Sequence, residues 1–514
     1  MQDKRQPEGR CRAPTERIGH GLRIESRFAS RRCYVAARIV VNQSPFAVAD
    51  SAGQPVVIPY APASISLDFL RHHRYLLLSI VACLLVRGGG LFVNSNRFVE
   101  DPDAYQAIAS TISNHGVFGL TSPQNVPRAI AFRPPLYPWL LSWIVVDDAT
   151  NGSRVSPVLL GIFHTCLGCL TVWLVFLFAR DTARRIRNVS PRSADVVASI
   201  AALIFIFDPI LLRQSIDAMT ETLAATLAMA VIYCWYRWSI ASHTKTQLAW
   251  SVLLGTSLAL GYLCRPTFLV WSVFLCGAML LNIRERRLLP QLALTAGIIV
   301  IAVAGWTIRN QRVTGHPVWA TTHGGYTLLL GNNESFYDYL ADNTFGEAWD
   351  ATRFINAYQH RYEGDPLTAE FWSKDWQGPV TTAVSASEYE DDRLVYQSAV
   401  ETIKRRPSLF VWASIVRVAR LWSPLPHEVQ GRSLVAILGV GIFYLMLGVA
   451  VLIAIARHWK SLIDQRFWAI GLLAFTLSGV HAVYWSNMRM RAPIMPAIAC
   501  LAVLAFPRGR DLPE

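Results

Sequence analysis

The sequence predicts an all-α integral membrane protein, and three observations lead there. Of 514 residues, 53% are hydrophobic and only 16% charged, which is too apolar for an ordinary soluble domain of that size. Apolar blocks of roughly 20 residues recur along most of the chain, each long enough to cross about 30 Å of hydrocarbon as helix. Stretches such as SLVAILGVGIFYLMLGVAVLIAIA are apolar on every face and lack the period-two alternation of a barrel strand. Only helices and closed barrels satisfy their backbone groups in lipid, so a helical bundle remains.

Residues 1–70 are arginine-rich and have no continuous apolar core, so they are expected to form a disordered cytoplasmic leader. A translation start assigned too early is an equal reading. The first span is expected at about 75 to 95, behind Arg71, His72, His73 and Arg74, which the positive-inside rule places in the cytoplasm. A first outer loop, 96–154, follows. Its apolar stretch PPLYPWLLSWIVV, 134–146, ends on Asp147 and Asp148 and is too short to span. It is expected to be an interfacial or re-entrant helix.

Residues 155–179 then cross inward to a basic loop with Arg180, Arg184, Arg185, Arg187 and Arg192. Spans follow near 196–212, 218–236, 248–264, 266–283 and 288–307, with Arg284, Arg286 and Arg287 landing inside. The hydrophilic segment 309–432 is external, and its many Trp and Tyr residues suit a small domain lying on the membrane. Three last spans, near 433–456, 467–485 and 492–506, are flanked inside by Arg457, Lys460, Arg466, Arg508 and Arg510. The count is about ten spans. The organisation is then a leader (1–70), a transmembrane catalytic bundle (71–308), an external segment (309–432) and C-terminal helices (433–514).

A net charge of +13 would suit nucleic acid, but the arginines cluster at the ends of apolar blocks and read as topology signals, so no nucleic-acid partner is expected. Of the nine cysteines, Cys83, Cys166, Cys169, Cys234, Cys264, Cys276 and Cys500 lie inside apolar blocks. The pair Cys166 and Cys169 has CxxC spacing but reads as helix packing. His164 and His481 lack ligand spacing and read as hydrogen-bonded packing residues. No cofactor is expected, and a divalent metal stays open.

The first outer loop places Glu100, Asp101 and Asp103 just beyond the first span, before a helix-like AYQAIASTIS that Asp103 can cap. A carboxylate at the lipid–water boundary beside a cationic cavity can take a proton from an acceptor hydroxyl. Arg128, Arg133, Arg213, Arg265, Arg309, Arg489 and Arg491 fall on the outer side, where topology gives no reason for them. Snorkelling explains any one of them. Seven together point to an anion site, since guanidinium forks match phosphate oxygens. Glu221 opens an inward span behind Arg213, and Arg87 lies inside the first span, where it can pair with an acid elsewhere in the bundle.

The motifs DPDAY (101–105), RPPLYPWLL (133–141), RQSIDAMTETL (213–223), CRPTF (264–268), IRN (308–310), GGYTLLLGNN (324–333) and RMRAPIMP (489–496) each fall at a span end. In that order and spacing, over most of residues 75–506, the chain resembles the GT-C membrane glycosyltransferases. It is similar to the bacterial branch related to protein O-mannosyltransferases and to the aminoarabinose transferase of lipid A. The resemblance implies a catalytic Asp in the first outer loop, a polyprenyl-phosphate sugar as donor, membrane lipid around it, and inverting transfer to an external glycan, lipid or protein. In such relatives an acidic pair often stands four positions before a Tyr. Here Asp101 stands four before Tyr105 and is followed by Pro102, so the base falls to Asp101 or Asp103, with Glu221 next. Arg128, Arg133, Arg213, Arg265, Arg309, Arg489 and Arg491, with Tyr137, form the expected substrate-binding set. An O-antigen polymerase or ligase is the rival within enzymes. A lipid-linked sugar flippase is the rival outside them, although the sequence shows no inverted repeat.

Overall fold

The computed structural model describes four short strands between residues 22 and 56, and residues 67–505 except 94, 123, 149–151, 282–287, 343–347, 383–385 and 427–432. The chain divides into two compact units, residues 1–71 and 72–514. Most of the expected leader, together with Arg284, Arg286, Arg287, Arg508 and Arg510, lies outside the described residues. Within the first unit, β1 (Leu22–Glu25) pairs antiparallel with β2 (Arg38–Val41), and β3 (Val48–Ala49) with β4 (Pro55–Val56).

Helix dominates the second unit. α1 (Leu67–Val93) leads to the outer loop, which holds α2 (Tyr105–His115), the hairpin β5 (Gly119–Thr121) and β6 (Pro127–Ala129), α3 (Leu136–Ser142), and the hairpin β7 (Val145–Asp148) and β8 (Gly152–Val155). The stretch 134–146 is therefore not one interfacial helix. Trp143 caps α3 after seven residues, and β-branched Val145 and Val146 turn the chain into a strand.

The next helices are α4 (Pro157–Arg187), α5 (Pro191–Ile206), α6 (Pro209–Gln214), α7 (Glu221–Ile240), α8 (Thr244–Cys264), α9 (Thr267–Leu281) and α10 (Leu289–Thr314). Three of them start alike, with a side-chain N-cap followed by proline: Ser156–Pro157, Ser190–Pro191 and Asp208–Pro209. Such a cap satisfies an orphan N–H, and proline lacks the N–H that would otherwise go unpaired there. The external segment folds into α11 (Gly324–Gly331), α12 (Glu334–Asp342), α13 (Thr352–Gln359), α14 (Ala369–Ser373), α15 (Glu388–Arg405) and α16 (Pro407–Trp422). Its aromatic residues make two small cores, one around Phe354, Trp372 and Trp376 and one around Phe336 and Tyr337. α17 (Leu434–Leu462), α18 (Trp468–Val483) and α19 (Met495–Ala502) complete the chain.

Among the described residues, seven helical segments are long and apolar enough to cross a membrane by length and composition. The ten expected segments overlap helix in the described residues, but 196–212 is broken between α5 and α6, and 492–506 holds only the eight-residue α19 between two 3₁₀ turns. α7 is central, with 78% of its most apolar window buried, whereas α17 buries 17% and turns its apolar surface outward, as lipid-facing helices do. α8 and α10 approach closely through Gly255, where a Cβ would stand 3.1 Å from the Thr295 backbone, the small-residue contact that drives helix association in lipid.

The positive-inside rule puts the arginine-rich end of α4 in the cytoplasm, and on that expectation the α13–α15 region is external. A cysteine replacing exposed Gln377 is expected to react with an impermeant thiol reagent in intact cells, after outer-membrane permeabilisation where there is one, and a cysteine replacing exposed Arg185 only after lysis. The reverse pattern would invert the topology.

Candidate functional site

The N-terminus of α2 gives the two loop aspartates different partners. Ala104, at the helix N-cap, takes a left-handed backbone conformation (φ 59°) and supplies no side-chain cap. Asp101 reaches over it, and its Oδ2 accepts the Ala107 N–H at 2.9 Å. Asp103 therefore does not cap the helix as expected. The tight turn rotates it toward Arg133, whose Nη2 meets its Oδ1 at 2.8 Å while Nε donates to its carbonyl at 2.9 Å.

Asp101 keeps its second oxygen: Oδ1 is buried and has no hydrogen-bond partner. Burial pushes the Asp101 carboxyl above its ordinary value, against the pull of the α2 N–H groups, and the neighbouring Asp103 charge adds to the rise.

Glu221, at the first turn of α7, is 0% exposed. Its Oε1 lies 2.7 Å from Arg265 Nη2 and 3.0 Å from Arg489 Nε. Arg265 also donates from Nε to Thr220 Oγ1 at 2.8 Å. Thus the loop between α8 and α9, and the 3₁₀ turn Met488–Ile494 ahead of α19, are both tied to the start of α7.

Tyrosines connect the two charged groups. Tyr105 is buried, packs edge-on against Tyr137 at 5.3 Å, and feels the charges of Arg133, Asp103, Arg265 and Glu221. Arg133 also stands over the Tyr105 and Phe132 rings at 5.5 and 4.4 Å. Tyr137 bonds His164 Nε2 at 2.9 Å, and His164 Nδ1 stands 2.9 Å from the Ser215 carbonyl. A carbonyl only accepts, so Nδ1 carries the proton and Nε2 accepts from the tyrosine. The reading of His164 as a hydrogen-bonded packing residue holds, as does that of His481, bonded to the Trp485 carbonyl at 3.0 Å.

The remaining expected residues have other partners. Arg213 pairs with Asp217 at 3.5 Å, and Asp217 pairs with Arg97 at 3.0 Å. Arg309 is spent on backbone, donating to the carbonyls of Ile130 and of Phe118, the latter at 2.7 Å, and so fastens the β5–β6 hairpin. Arg128 is exposed, and its charge reaches Glu388, which accepts from the Ala131 N–H and the Thr322 hydroxyl. Arg491 donates to the carbonyls of Leu421 and Ser423 and stands over Tyr444 at 4.3 Å. Glu100 is a surface partner of Arg97 at 3.6 Å. Arg87 forms no ion pair among the described residues: it makes a long bond to the Leu211 carbonyl, stands over the Phe205 ring and meets the Cys83 thiol.

No group of three or more His, Cys, Asp or Glu side chains among the described residues is placed to hold a metal ion. The seven described cysteines are free thiols. Sequence reasoning passed over Arg97, Asp217 and Thr220, whose only signal is their nearness to residues it did single out.

The fold and this site define an all-α integral membrane protein that resembles the GT-C glycosyltransferases. Residues 80–315 match the family model of dolichyl-phosphate-mannose-protein mannosyltransferases. Solved structures with some likeness include the archaeal oligosaccharyltransferase AglB from Archaeoglobus fulgidus, in complex with an inhibitory peptide and a dolichol-phosphate. There the TM-score is 0.40 and the identity 14%, over 85% of this chain and 50% of that one, so the chain spans half the length of that enzyme. ArnT from Cupriavidus metallidurans bound to undecaprenyl phosphate gives a TM-score of 0.35 at 12% identity, over 83% of this chain and 78% of that one. No curated protein matches by sequence.

Replacing Glu221 by Gln removes the charge that Arg265 and Arg489 share inside the protein. Breaking such a buried pair costs about 3–5 kcal/mol, so a clear fall in the thermal unfolding midpoint in detergent is expected. An unchanged midpoint would show that the pair does not hold the site together.

Proposed function

We propose that the chain is an integral membrane glycosyltransferase that moves a sugar from a polyprenyl-phosphate carrier to the hydroxyl of an external acceptor, with inversion at the anomeric carbon. The observation that carries this reading is the division of labour among three acids. Asp103 is paired with Arg133 and Glu221 with Arg265 and Arg489, whereas among the described residues Asp101 stands in no ion pair and keeps a buried oxygen without a hydrogen-bond partner.

The chemistry follows from that division. Asp101 Oδ1 takes the acceptor hydroxyl proton as the oxygen attacks the anomeric carbon. The bond from that carbon to the phosphate oxygen breaks, and the lipid phosphate departs with the electron pair. Arg133, Arg265 and Arg489 each leave guanidinium donors uncommitted among the described residues, so they can receive the departing phosphate while their carboxylate partners hold them in place. Asp103 and Glu221 are then positioning residues, and Tyr105 and Tyr137 wall the space between the two groups.

A lipid carrier fits the placement of this set at helix ends, where a headgroup phosphate and an apolar tail meet protein and bilayer together. The family match over residues 80–315 supports the same donor class. No Gly-rich strand-to-helix phosphate loop stands in the sequence to hold a nucleotide. We place the enzyme in the inner (plasma) membrane with its site on the external or periplasmic face. In this reading residues 71–308 form the catalytic bundle and 309–432 the acceptor-side cover.

Purified protein in detergent is expected to transfer sugar from a polyprenyl-phosphate sugar and not from a nucleotide sugar alone. Asp101→Asn should lower turnover by about 10²–10⁴-fold at an unchanged unfolding midpoint, and Asp103→Asn by less. Transfer from nucleotide sugar without lipid carrier would refute the donor assignment, and wild-type turnover in Asp101→Asn would refute the base.

A further inference from the structure

Two successive helices of the external segment turn opposite kinds of surface outward. On α15 the exposed positions are Glu390, Arg393, Tyr396, Gln397, Lys404 and Arg405, a surface suited to water. On α16, which starts at Pro407, they are Pro407, Ser408, Val411, Trp412, Ile415 and Ala419, with Val411 58% and Ile415 55% exposed. That spacing lays one apolar stripe along a single side of the helix. Both arginines of α16 turn away from it: Arg417 is fully buried and donates to the carbonyls of Gly331 and Ala482, and Arg420 stands over the Phe336 ring at 5.5 Å.

Contacts with two long apolar helices show how deep α16 runs. Arg417 meets Ala482, next to the end of α18 at Val483, and further along α16 the Trp422 indole donates to Ser478 Oγ at 2.9 Å. Advancing along α16 therefore means moving back along α18, by about 6 Å. On the other side, Leu425 lies over Gly441 of α17, about 10 Å inside the start of that helix at Leu434. Non-helical backbone at membrane depth persists only where protein satisfies its polar groups. Arg491 does so here, because its Nη1 donates to the carbonyls of Leu421 and Ser423 at 3.1 and 2.8 Å. A cation at a helix C-terminus also meets the negative end of the helix dipole.

We propose that α16 is a re-entrant half-helix, which enters the membrane from the side of α11–α15 and turns back after Trp422, with its Val411, Trp412 and Ile415 face covered by lipid acyl chains. The occupant follows from continuity. Leu425 is itself exposed where it lies over α17, and Leu438 and Ile442, on either side of Gly441, are exposed as well. The stripe of α16 thus runs into the outward apolar surface of α17. Arg491 is then the donor that closes the end of the half-helix, which accounts for its different partners from Arg489 on the same 3₁₀ turn. That turn is in this way fastened to an element anchored in lipid. The proposal does not rest on the transferase reading, and its test reads no activity.

The test places an aliphatic diazirine amino acid, one position at a time, at Val411 or Ile415 of the full chain in dioleoylphosphatidylcholine vesicles. Exposed Leu445 on α17 and exposed Gln397 on α15 serve as the lipid and water references. All four side chains point outward, so the replacements leave the packing intact. On irradiation the carbene inserts into whatever covers it, and mass spectrometry of the peptides reads the product. Positions 411 and 415 should give chiefly lipid adducts, as 445 does, whereas 397 should give chiefly water adducts. Chiefly water adducts at 411 and 415 would overturn the proposal and leave α16 on the surface. Cross-links from these positions to another protein chain would overturn it too, and make the stripe a protein interface.

Discussion

The Glu221 carboxylate, fully buried between Arg265 and Arg489, is the interaction on which the outer half of the bundle depends. Three stretches far apart in sequence meet on its oxygens: the start of α7, the α8–α9 junction and the 3₁₀ turn before α19. Isolated, each charge would be costly to bury. Together, one carboxylate and two guanidiniums leave a net positive charge held at the helix ends. On the proposed reading that surplus receives the departing phosphate, and it is rigid because Glu221 and Arg265 also stand at helix termini. Arg133 repeats the device on a smaller scale, fixed twice to Asp103 and stacked on Phe132 and Tyr105.

Close to this pin, the α2 N-terminus sets the geometry of the two loop acids. The left-handed turn at Ala104 sends Asp101 and Asp103 in opposite directions, one to the α2 N-terminus and one to Arg133. A single oxygen of Asp101 stays uncommitted and buried. Two adjacent acids thus acquire different chemistry from backbone conformation alone. Tyr105, one residue beyond the turn, lies between the charges of Arg133 and Arg265 because α2 buries that face against α3.

The helices were legible because lipid imposes a long, simple signal: blocks of about 20 apolar residues bounded by arginine. Short-range features were not. PPLYPWLLSWIVV is apolar throughout, so hydropathy could not show that it breaks into a seven-residue helix and a hairpin. The different partners of Asp101 and Asp103 turn on one positive φ at an alanine, which composition does not announce. Of the seven outer arginines, Arg133, Arg265 and Arg489 converge. Arg309 was indistinguishable from them in sequence, yet it spends its donors on the carbonyls of Phe118 and Ile130. Charge and position mark an anion site, but which donors remain free depends on long-range contacts.

The central claim is that Asp101, with one oxygen free of partners and its carboxyl raised by burial, is the base. The most direct measurement is the pH dependence of kcat/KM for transfer from a polyprenyl-phosphate sugar, in wild type and in Asp101→Asn. A base must be ionised to act, so activity is lost as pH falls through its pKa. With that pKa raised by burial, the acid limb should lie above the ordinary aspartate range in wild type, and the residual rate of Asp101→Asn should show no such limb. The same acid limb persisting in Asp101→Asn would contradict the account and assign the proton to another group.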